Sequence, residues 1–166
     1  MNIIAAITIL ATYAVTICVA TGAIPASLSQ TVFSLPKNGR WLWSVVIAAL
    51  AFLTMPTLIE ESCEATQFLG FLACGSLMFV GVCPLVQQEG EISYIIHIIM
   101  AYTCAICSQL LVLLNNPLLL LGWLPWIIVF AVLILKENKW KTQAFWAEMT
   151  CFVITFLYGL KYYWSY

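Results

Sequence analysis

Apolar and polar positions along this chain do not alternate residue by residue; they come in blocks. Six apolar runs cover about residues 2–22, 41–59, 67–86, 93–114, 117–135 and 142–162. Short polar breaks separate them, at Lys37–Arg40, Glu60–Glu64, Gln87–Glu91, Asn115–Pro117 and Lys136–Lys141. A bilayer-crossing helix needs about 20 mainly apolar residues. A membrane β-strand would show roughly ten residues of strict alternation instead. The pattern therefore predicts an all-α polytopic membrane protein, a six-transmembrane-helix bundle forming one integral membrane domain over residues 1–166. The first run has no Lys or Arg ahead of it, so it reads as a retained helix and not as a secretory leader.

Within the runs, periodicity assigns faces. Thr8, Thr12, Thr16 and Ala20 recur every four residues, which predicts a polar stripe looking into the bundle. Gly70, Cys74, Gly75 and Gly81 offer close backbone approach in the third span. Residues 24–36 are too polar to cross a membrane and too apolar for an aqueous loop. Pro25 and Pro36 bracket them, so they are expected to form an interfacial or re-entrant segment tucked against the bundle. The tryptophans at 41, 43, 123, 126, 140 and 146 and the tyrosines near the C-terminal end read as anchors at the headgroup level.

Composition narrows the function classes. Only 8% of the residues are charged, against about 25% in a soluble domain, so the chain cannot clothe a water-exposed surface. A net charge of −1 without a basic cluster excludes nucleic-acid binding. Lys37, Arg40, Lys136, Lys139 and Lys141 fall in the first and fifth connections, and Lys161 stands alone near the terminal side. This bias places both termini outside and the basic connections in the cytoplasm. Of seven cysteines, Cys63 alone falls in a loop. Cys104 and Cys107 have redox spacing, but mid-helix they read as small packing residues. One histidine and no aspartate give no metal ligand set, and no motif implies a cofactor.

The fourth run carries the histidine. On a helix Tyr94, His97, Ala101, Cys104 and Ser108 share one face, and an ionisable group at such a depth belongs in a protein interior or a wet cavity. Glu148, Cys151, Thr155 and Gly159 share a face of the last span in the same way. His97, Glu148 and the serines of the first connection all approach the same side of the membrane. Ser27 or Ser29 as nucleophile, His97 as base and Glu148 as its orienting partner would make a hydrolase or acyl-transfer triad. The plainer alternative is that His97 and Glu148 pair with each other, or with backbone and headgroups, and so fix helix register.

The segment Pro25-Ala26-Ser27-Leu28-Ser29-Gln30-Thr31-Val32-Phe33-Ser34, followed by a Trp-rich second span, resembles small six-span bacterial membrane proteins related to the FGF-receptor-activating and autophagy-modulator membrane families. The resemblance implies a cytoplasmic-membrane protein with a lipid-related or regulatory role and supplies no catalytic residues. It also implies an N-terminus inside, opposite to the charge bias. The leading expectation is a non-enzymatic protein that binds a membrane lipid, a small amphiphile or a membrane partner, a second copy included. The pocket would be built from Tyr94, His97, Cys104, Ser108, Glu148 and Thr155. A membrane-embedded lipid acyl hydrolase or transferase is the alternative, and a small-molecule transporter the third.

Overall fold

A computed structural model describes residues 2–86, 91–137 and 142–164; the turn expected at 87–90, together with Lys139, Trp140, Lys141 and Tyr166, lies outside them. The described residues form helices and connections with no strand. The helices are α1 (Asn2–Thr21), a four-residue α2 (Thr31–Ser34), α3 (Trp41–Glu60), α4 (Gln67–Val86), α5 (Glu91–Asn115), α6 (Trp123–Glu137) and α7 (Gln143–Trp164). Five of them, α1, α3, α4, α5 and α7, are long and apolar enough to cross a membrane. α6 is shorter, because Pro117 opens a 3-10 stretch over Pro117–Gly122 before it.

Local chemistry sets the ends. α1 stops at Gly22, whose φ of +63° supplies the left-handed residue that favours glycine after a helix. α5 ends where Asn116 turns extended ahead of Pro117. Pro56 sits inside α3 without ending it. Asn115 ties the end of α5 to the α3–α4 connection: its Oδ1 accepts from the Cys63 N–H at 3.1 Å and its Nδ2 donates to Thr66 Oγ1 at 2.9 Å. Tyr158 of α7 reaches the same connection and donates to the Glu61 carbonyl at 2.7 Å.

Large apolar side chains lie on the outside of the bundle as well as in its core. Phe52, Phe71, Phe79, Ile99 and Leu114 point outward, whereas Thr54, Ser76, Ser108 and Thr155 are buried. The inner hydroxyls are satisfied locally: Thr54 donates to Leu50 O and Thr155 to Cys151 O, each at its own i−4 carbonyl. α4 packs mainly between α3 and α5, and α1 lies along α3.

Three expectations are corrected. The Thr8, Thr12, Thr16 and Ala20 stripe faces outward; the packed face of α1 is Ile3, Ala6, Leu10, Tyr13, Ala14 and Ile17. Thr8 bonds back to Ile4 O, so its hydroxyl is satisfied without an interhelical partner. Trp43 is an interior residue 1% exposed, its ring 5.9 Å from that of Tyr13, whereas Trp41 stays outside. Gly75 has nothing within 4 Å of where a Cβ would stand, so close approach belongs to Gly70, Gly81 and Gly159.

Candidate functional site

The first connection is drawn into the bundle by α7. Leu28, Thr31 and Val32 are buried. The N–H of Phe145, one of the orphan donors at a helix start, donates to the Ala26 carbonyl at 3.0 Å. One turn further on, the Glu148 carboxylate accepts from the Leu28 N–H. Tyr13 of α1 and Thr31 share a hydrogen bond of 2.6 Å, and Thr31 donates to Leu28 O. Residues 26–32 are thus held from α1 and α7, with Ser27 Oγ and Ser29 Oγ 3.2 Å apart.

Two cavities meet beneath this segment. The outer one, about 500 Å³, opens between the segment, α5 and α7; Ser27, Gln30, Tyr94, Tyr102 and Trp123 are among its walls. The inner one, about 100 Å³, is almost wholly apolar; Ile47, Leu58, Leu77, Phe152 and Phe156 line it together with Cys104, Ser108 and Thr155. Ser29, His97, Ala101, Ala105, Glu148 and Cys151 belong to both walls. The inner walls run along α3 from Trp43 to Leu58, about 22 Å at 1.5 Å per residue. A small volume drawn out over that length is a slot.

His97 and Glu148 face the same space without pairing: among the described residues Glu148 forms no ion pair with any His, Lys or Arg. The His97 ring approaches the Val80 backbone on α4, and its Nδ1 is buried without a hydrogen-bond partner. Trp43, on the inner wall, likewise has its Nε1 buried and unpartnered. Neither hydrogen bond of a serine triad is formed. The serine hydroxyls meet each other, Ser27 Oγ accepts from the Gln30 N–H at 3.2 Å, and Glu148 holds Leu28.

All eight residues singled out from the sequence border this space: Ser27 and Tyr94 the outer cavity, Cys104, Ser108 and Thr155 the inner, Ser29, His97 and Glu148 both. Sequence reasoning missed Gln109. Its Nε2 donates to Thr155 Oγ1 at 3.2 Å and to Cys151 O at 3.3 Å, and its Oε1 accepts from Trp123 Nε1 at 2.9 Å. This network fixes α5, α7 and the start of α6 against one another and places Trp123 on the outer wall. A lone amide in an uncharged run was the available signal. Cys104 and Cys107 are free thiols, and no cluster among the described residues could hold a metal ion.

Fold and site together define a helical protein with membrane-length apolar helices around two adjoining cavities, the outer of mixed lining and the inner almost wholly apolar. No family model, curated protein or solved structure matches the chain.

Proposed function

We propose that this chain is an integral membrane protein that holds a single-chain amphiphile, head in the outer cavity and tail in the inner slot. The observation that carries this reading is the shared wall: His97 and Glu148, not paired with each other, stand on the walls common to a cavity of mixed lining and an almost wholly apolar one. Binding sites are mostly apolar with a few placed polar groups, and together the cavities have the size of such a site.

Ala105, on both walls, gives the test. Ala105→Phe is expected to reduce co-purifying or added amphiphile at least tenfold by native mass spectrometry, with helix content unchanged by circular dichroism. Undiminished retention in Ala105→Phe, or in His97→Ala and Glu148→Gln combined, would remove the site. An acyl enzyme is the weaker reading because it needs Ser27 or Ser29 to turn from its present partner toward His97.

The reading includes six crossings. α6 supplies about 22 Å at 1.5 Å per residue, and the 3-10 stretch before it about 12 Å at 2.0 Å per residue. Their sum exceeds the roughly 30 Å hydrocarbon core. With termini outside, the exposed Cys63 lies outside too. A membrane-impermeant maleimide should label it in intact cells and fail with Cys63→Ser; labelling only after permeabilisation reverses the orientation.

A further inference from the structure

We infer that the head of the bound amphiphile is a cation, a substituted ammonium, held by Glu148 and an aromatic wall. This inference rests on the amphiphile-binding reading and specifies its head. Among the described residues, the lining of the two cavities contains one carboxylate, Glu148, and no Lys or Arg. That carboxylate spends one acceptor position on the Leu28 N–H and, among the described residues, has no counter-cation. A carboxylate removed from water needs a paired charge, and an ammonium head would supply it from the ligand.

Around Glu148 the outer wall carries Tyr94, Tyr102 and Trp123. Aromatic faces attract ammonium groups through the ring quadrupole, most strongly where water is displaced. Trp123 is fixed through its Nε1 by Gln109, which leaves its ring as wall. Phe33 also borders the cavity, but Arg40 already lies over it, 5.3 Å from the ring centroid. That contact supplies a local example of the same chemistry on the same segment. His97 Nδ1, unpartnered and on both walls, is the next polar atom the head would meet. An anionic head would find Glu148 facing it, and among the described residues of the lining no Lys or Arg to offset the repulsion.

The test compares three probes of one chain length with purified protein: dodecyltrimethylammonium, dodecanoate and dodecanol. Saturable one-to-one adducts are counted by native mass spectrometry. The ammonium is expected to form its adduct at a concentration at least tenfold lower than the other two. Glu148→Gln should erase that preference, and Tyr102→Leu should weaken the ammonium adduct several-fold. Dodecanoate binding as tightly as the ammonium, or an ammonium preference unaltered in Glu148→Gln, overturns the cationic head while the amphiphile reading stands. If none of the three probes binds saturably, the amphiphile reading itself fails. Should Glu148→Gln not fold, the order of the three probes on the unaltered protein decides alone. A lysophosphatidylethanolamine arm separates the sources of an ammonium. Its phosphate finds no Lys or Arg among the described residues of the lining, so it is expected to bind more weakly than the simple cation; equal binding would overturn that choice of source.

Discussion

Gly81→Leu is expected to yield no folded protein in detergent, and Gly81→Ala to unfold at a clearly lower temperature than the unaltered chain. A Cβ at Gly81 would stand 2.9 Å from Ile47 Cγ2 and 3.0 Å from Ile47 Cβ. Ile47 is 1% exposed, and its Cβ belongs to the root of the side chain, which cannot swing aside. The same α3–α4 crossing is fastened by Ser44, whose Oγ donates to the Gly81 carbonyl at 2.6 Å, so the helices cannot drift apart without losing a hydrogen bond. Overpacking of this kind costs about 1–3 kcal/mol, against about 1 kcal/mol gained in helix propensity on replacing glycine by alanine. The crowding wins. Gly75→Ala is the control: its Cβ would meet nothing within 4 Å, so it should be neutral or stabilising. Ile47→Ala removes the nearer atom and should restore part of what Gly81→Ala loses. Thermal unfolding in micelles checks all four, and equal midpoints for Gly75→Ala and Gly81→Ala would refute the assignment.

The two glycines also show where sequence stops being informative. Both lie in the third apolar run and look alike in the sequence, but only one faces Ile47, because rotation of a helix about its axis is fixed by the neighbour it meets. The same limit explains the threonine stripe of α1. Period four identified a face correctly and gave it the wrong direction: hydroxyls that bond back to their own i−4 carbonyl carry little penalty facing lipid, while Tyr13 and Ile17 found partners inside. Membrane-length helices were legible because hydrocarbon thickness sets a length that any apolar run reveals. Trp43 was read as an interface anchor on its position near a helix start; its burial depends on Tyr13, 30 residues earlier in the chain, which no local pattern shows. The candidate residues of α5 and α7 border the same cavities because helical spacing puts each set on one face of its helix. The part of the site built from backbone, the Leu28 N–H held by Glu148, had no side-chain signal at all.

That backbone contact gives the last prediction its sign. Glu148→Ala is expected to destabilise the protein by about 2–3 kcal/mol, the range for losing a hydrogen bond to a charged group and stranding a buried donor. Leu28 is 2% exposed, so water cannot take over its N–H. Glu148→Gln keeps an acceptor at the same reach and removes the charge, whose burial is itself costly; it should match or exceed the unaltered chain in stability. Unfolding in micelles separates the two, and limited proteolysis localises the effect. Cleavage within residues 24–36 should accelerate in Glu148→Ala and stay slow in Glu148→Gln, since Phe145 and Tyr13 hold the segment at only two remaining points. Equal behaviour of the two variants would mean that Glu148 does not anchor the segment. With the expected split, one side chain carries two separable duties. Its oxygen as acceptor positions the roof of the outer cavity, a duty glutamine can perform. Its charge is what the proposed cationic head requires, and glutamine lacks it.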